Sequence, residues 1–194
     1  MSEAAARPPR MTVDEFVAWS EDKPGRYELY DGEVVRMQSE RVSHGIVKAG
    51  VFTAFRNAIR QTDIACIALP DGMTVRIDAR TAFEPDCTVH FGPIDVDEIF
   101  ATNPIIVVEV LSRSSQTLDA VTKLDAYFRA ASIQHYLIVN VDKRLVIHHR
   151  RNGEEIATRI FGRGDEELSL DPPGITVPVG AFFADLPPDE PDAA

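Results

Sequence analysis

The stretch Pro104–Tyr127, PIIVVEVLSRSSQTLDAVTKLDAY, decides the architecture. It opens on Ile105-Ile106-Val107-Val108, an apolar and largely β-branched run of strand length. Glu109 interrupts the run before Val110 and Leu111 resume it. A carboxylate inside a buried strand is costly unless a metal ion, a cation or a proton neutralises it. After the polar Ser112-Arg113-Ser114-Ser115, a helix is expected from about Thr117. Leu118, Val121, Leu124 and Phe128 then fall at helical spacing and pack back on the sheet. Asp119, Lys123 and Tyr127 share another face of the same helix. A buried strand acid followed by a helix lysine outlines an active site.

On the N-terminal side, Thr12 and Glu15 form a capping box for a first helix. Asp31-Gly32 between Tyr27-Glu28-Leu29-Tyr30 and Glu33-Val34-Val35-Arg36-Met37 is a strong hairpin signal. An amphipathic helix follows from about Ser43 to Gln61, with His44 in its first turn and Lys48 one turn on. Strands are expected at Ile64–Leu69, Met73–Ile77 and Pro85–Phe91, with Pro70-Asp71-Gly72 as a turn. Beyond the central unit come strands at His135–Val141 and Leu145–His149, and an edge strand at Glu155–Phe161. A short element at Val177–Phe183 closes the series. This order gives an α/β fold with a mixed central sheet flanked by helices, preceded by a helix and a β-hairpin. The expected organisation is a disordered leader over residues 1–10, one domain over 11–186 and a disordered acidic tail over 187–194.

The chain has 194 residues, of which 44% are hydrophobic and 26% charged, as in ordinary globular proteins. No apolar stretch approaches the ~20 residues that span a bilayer, so no membrane role is expected. The N-terminus lacks the apolar core of a secretory signal, and Cys66 and Cys87 read as buried free thiols. The expected compartment is the cytoplasm. A net charge of −11 works against nucleic-acid binding, which draws affinity from Lys and Arg at phosphates. Part of that charge lies in the tail and in Asp165-Glu166-Glu167, and basic clusters occur at Lys143-Arg144 and His148-His149-Arg150-Arg151.

Asp86, after Pro85 at a strand start, reads equally as a turn or cap residue. Glu109 stands out because its strand is otherwise apolar, although a structural ion pair would also explain it. Lys123 alone is an ordinary helix lysine. Together, Pro85-Asp86, Val108-Glu109-Val110 and a lysine resemble the PD-(D/E)XK motif of the restriction-endonuclease-like fold. The usual lysine position, two residues after the second acid, is Leu111 here. That departure matches the Uma-two family of restriction-endonuclease-like proteins. Its pattern is met by Tyr27-Glu28-Leu29-Tyr30-Asp31-Gly32, His44, Pro85-Asp86, Val108-Glu109-Val110-Leu111-Ser112, and Asp119, Lys123 and Tyr127, over roughly Met11 to Leu186. Gln134-His135-Tyr136-Leu137 departs from the Glu-Tyr-Trp-Leu usual there, as core variation.

The resemblance implies a metal-dependent endonuclease hydrolysing phosphodiester bonds of DNA. Asp86 and Glu109 would hold Mg²⁺ or Mn²⁺, since hard cations prefer carboxylate oxygen. Lys123 would offset charge developing at the phosphate from a helix position instead of position 111. Glu28, His44, Asp119 and Tyr127 are auxiliary candidates. Glu28 would be a further acid, His44 a phosphate or ligand contact, and Asp119 and Tyr127 would orient the lysine. DNA is the implied partner, and a homodimer suits cleavage of both strands. The rival reading is a nuclease-fold protein that binds or scaffolds without catalysis.

Overall fold

The computed structural model of the chain describes residues 10–111, 117–162 and 166–188, with side chains of the helix after residue 116 described from 122 onward. The polar segment 112–116 lies outside these residues, as does all of the expected leader and tail except Arg10, Pro187 and Pro188.

Helix α1 (Val13–Ser20) is capped by Thr12, whose hydroxyl accepts the Glu15 N–H at 3.3 Å while the Glu15 carboxylate accepts the Thr12 N–H at 2.8 Å. Strands β1 (Tyr27–Tyr30) and β2 (Glu33–Arg36) form the hairpin. Its two turn residues, Asp31 and Gly32, have φ of 46° and 79°, as a primed two-residue turn requires. Two further strands, β4 (Val75–Asp78) and β5 (Thr81–Phe83), complete a four-stranded antiparallel sheet in the order β2-β1-β5-β4. Sequence periodicity does not reveal β5, because three residues are too few to show alternation.

The larger sheet runs β10-β9-β8-β7-β6-β3. Its strands are β3 (Cys66–Pro70), β6 (Cys87–Phe91), β7 (Pro104–Leu111), β8 (His135–Asn140), β9 (Leu145–Asn152) and β10 (Glu155–Phe161). Within this sheet, among the described residues, only β7 and β8 pair in parallel, and helix α3 (Thr117–Arg129) makes the crossover between them. Pro70-Asp71-Gly72 does not close a hairpin. It carries the chain from the large sheet to the small one.

Helix α2 (Val42–Arg60) covers one face of the large sheet. There Val47, Val51 and Phe55 pack with Ile106, Val108 and Val110 of β7. A hairpin of β11 (Glu167–Leu170) and β12 (Ile175–Pro178), with a 3-10 helix over Val179–Phe183, joins the same layer. The expected element at Val177–Phe183 is thus the end of a strand followed by that turn of helix. On the opposite face Val107, Tyr127, Ile133, Tyr136 and Ile138 form a second cluster, with Leu111, Leu124 and Phe128 at its margin. Alternation along β7 sets Glu109 on this α3 side.

Cys87 is buried and Cys66 half-buried, both as free thiols. Among the described residues no helix is long and apolar enough to cross a membrane.

Two packing details generate tests. A Cβ on Gly50 would stand 2.6 Å from the Phe182 carbonyl oxygen, whereas one on Gly45 would meet open space. Gly50→Ala is expected to cost about 1–3 kcal/mol in urea unfolding. Gly45→Ala, on the same helix, is expected to be neutral or stabilising by up to ~1 kcal/mol. Equal effects would refute this packing.

The second detail is a buried histidine pair, His135 and His148. His135 Nε2 lies 2.7 Å from the Pro172 carbonyl and must donate to it, so Nδ1 accepts from His148 Nε2 at 2.8 Å. Burial lowers His135 to about 4 and His148 to about 3, the latter also through its histidine neighbour. Both rings stay neutral where the unfolded chain takes up protons. Their contribution to stability is therefore full above about pH 6.5 and declines as pH falls toward those values. Between pH 7 and pH 5, wild type should lose roughly 1–2 kcal/mol more stability than His148→Gln, which keeps a donor to His135. Identical pH slopes would exclude this role.

Candidate active site

The small sheet, the large sheet and both long helices each send side chains to one region. Continuing the β6–β7 register one step past Cys87↔Val108 sets Asp86 opposite Glu109. Both are buried, at 6% and 5% exposure.

Lys123 of α3 stands above Glu109. Its Nζ lies 3.0 Å from Glu109 Oε1 and 2.9 Å from Glu28 Oε1 of β1. The Glu84 N–H donates to that same Glu28 oxygen at 3.0 Å. Tyr127, one helical turn beyond Lys123, donates its hydroxyl to Glu109 Oε1 at 2.5 Å. The Phe83 ring lies 5.1 Å from the Lys123 ammonium. Burial pushes the Glu109 carboxyl upward against the pull of Lys123, and the charge of Glu28 adds to the rise. Burial and the Glu109 charge hold the Tyr127 hydroxyl well above its usual range, so it remains a donor.

Asp86 has a different cation. Its Oδ2 accepts the Val110 N–H at 2.6 Å, and its Oδ1 lies 2.6 Å from Lys48 Nζ of α2. Lys48 also reaches Asp71 Oδ2 at 3.0 Å and the carboxylate of Glu40. Arg26 binds Asp71 and, through Nε at 2.9 Å and Nη2 at 2.8 Å, Glu84 Oε2. Burial and the charge of Glu109 raise Asp86 to about 6, with Lys48 opposing. Burial works against the Lys48 charge, but Asp86, Glu40 and Asp71 carry its pKa upward overall.

The arrangement brings together Asp86, Glu109, Lys123, Glu28 and Tyr127, all singled out in the sequence. The Asp119 side chain lies outside the described residues. His44 is buried, and neither ring nitrogen has a hydrogen-bond partner among the described residues. Sequence reasoning passed over Lys48, Asp71, Glu40 and Arg26. One signal was available: Lys48 lies inside the apolar stripe of α2, between Val47 and Val51, where a solvated lysine is out of place.

Ligand oxygens of Glu40, Asp71 and Asp86 lie within 4.8 Å of one another, and Lys48 Nζ sits among them. Glu109, opposite Asp86 across the strand pair, contacts Lys123. The donor set is hard oxygen and its present counter-ions are protein ammonium groups, so its chemistry fits a divalent cation such as Mg²⁺ or Mn²⁺.

The fold is restriction-endonuclease-like. A crystal structure described as that of a putative nuclease belonging to DUF820, from Anabaena variabilis, superposes with a TM-score of 0.70. It covers 90% of this chain and 98% of that one at 16% identity, a likeness of fold. The Uma2 family model, described as a putative restriction endonuclease, matches residues 13–180. The chain belongs to the Uma2 family. An uncharacterised Synechocystis protein is 24% identical over 179 residues, 92% of this chain and 94% of that protein.

Lys123→Met leaves Glu109 and Glu28 buried without their ammonium and is expected to destabilise by about 3–5 kcal/mol. Adding Glu109→Gln and Glu28→Gln should recover most of that loss in urea unfolding. No recovery would show that the three groups do not interact as a unit.

Proposed function

We propose that this protein is a divalent-metal-dependent endonuclease that hydrolyses phosphodiester bonds of DNA. The observation that carries the reading is the pairing of Asp86 with Glu109 across adjacent strands, each carboxylate in contact with a buried lysine. A fold built only for stability gains little from two such pairs, because apolar residues of similar size would do as well. The family description, a putative restriction endonuclease, supports a nucleic-acid substrate.

In this reading Asp86 and Glu109 hold the cation. When bound, a divalent ion polarises a phosphate oxygen and eases deprotonation of water. Lys123, held by Glu28 and Glu109, would offset negative charge developing at the phosphate. Glu28 fixes the ammonium from the other side, and Tyr127 fixes Glu109 through the oxygen that Lys123 also contacts. The Val110 N–H aims the Asp86 carboxylate. A homodimer would place two such sites on opposite strands of a duplex.

The net charge of −11 favours a second reading, a binding or scaffold protein on the same fold. Plasmid and single-stranded DNA incubated in Mg²⁺ or Mn²⁺ separate the two. Wild type should cleave, and Asp86→Ala, Glu109→Ala and Lys123→Ala should each lose roughly 10²-fold or more. Cleavage that persists equally in all three variants would refute the assignment. An inactive wild type that binds no metal would leave the scaffold reading.

A further inference from the structure

Lys48 is the buried charge that this mechanism leaves without a task. Its ammonium touches three carboxylates, those of Asp86, Asp71 and Glu40. Arg26 is shared between Asp71 and Glu84. One ammonium and part of one guanidinium therefore face more negative charge than they balance, a deficit that a dication would fill. The two lysines of the region also differ in their surroundings. Lys123 is enclosed by Glu28, Glu109 and the Phe83 ring, its carboxylate partners 8% and 7% exposed. Lys48 is equally buried, at 9%, but its outer partners Glu40 and Asp71 are 32% and 28% exposed while Asp86 behind them is 7% exposed.

We propose that Lys48 is an internal competitor of the divalent cation. Its ammonium holds the cation position at Asp86, gives up that carboxylate when a metal ion binds, and is then released toward the anionic substrate. The inference rests on the metal-dependent reading above and adds a regulatory step to it. Asp86 is aimed in the metal-free protein by an ion pair within the chain. Loading the site is an exchange of one cation for another. The long flexible stem of lysine permits that exchange without movement of α2.

Two measurements on the full chain without nucleic acid test this. The first is Mn²⁺ affinity, read by electron paramagnetic resonance of the free ion. Lys48→Met should bind Mn²⁺ at least about tenfold more tightly than wild type. The gain should vanish in the double variant Lys48→Met/Asp86→Asn. Unchanged or weaker binding in Lys48→Met, a gain that survives Asp86→Asn, or no Mn²⁺ binding in any variant would each overturn the proposal. The second uses wild type alone and so does not depend on the folding of a variant. Acetylation by a lysine-selective reagent, followed by peptide mass spectrometry, should increase at Lys48 when Mg²⁺ is added. Lys48 reactivity that Mg²⁺ leaves unchanged would overturn the exchange. Neither readout involves cleavage. A protein that exchanges Lys48 for metal but cuts no DNA would therefore retain this inference while the nuclease reading fails.

Discussion

The ion pair between Glu109 and Lys123 is the constraint to which the rest of the molecule answers. A carboxylate in the middle of β7 would be intolerable in a strand packed on both faces unless a cation met it inside the fold. That cation comes from α3, so the crossover between β7 and β8 must return at a fixed height and rotation. The second cluster sets the rotation, with Tyr127 and Ala126 fully buried and Leu124 and Phe128 at its edge. The small sheet is tied to the same point. Glu28 shares the ammonium, and the backbone of Glu84 steadies Glu28, so the hairpin is held to the large sheet through charge as well as packing.

Much of this was legible in the residues. The apolar run of β7, its lone acid, the primed turn at Asp31-Gly32 and the capping box at Thr12 are local signals. Each arises from backbone or burial physics that acts over a few residues. Asp86, Glu109, Lys123, Glu28 and Tyr127 form one ordered set only through the family resemblance. Strand adjacency pairs Asp86 with Glu109 and helical spacing aligns Lys123 with Tyr127, while Glu28 arrives from the other sheet.

What stayed hidden depended on contacts between elements remote in the chain. Asp71 lies in a Pro-Asp-Gly turn, and such a turn explains an aspartate so well that nothing prompts a search for its partners. Its role becomes visible only once Arg26 and Lys48 converge on it. Strand β5 is short and owes its conformation to pairing with β1 and β4 rather than to its own sequence. The histidine pair on β8 and β9 reads as two unrelated rings until strand register brings them together.

Delivery of the lysine from α3 leaves the end of β7 free. At position 111, the lysine position of the PD-(D/E)XK motif that the sequence resembles, Leu111 is half-buried against the second cluster. Two demands that elsewhere fall on one strand end, supplying charge and filling the core, are here divided between two elements. The strand terminus can vary under packing pressure alone, without displacing the ammonium. The helix can in turn be refined for charge placement without breaking the sheet.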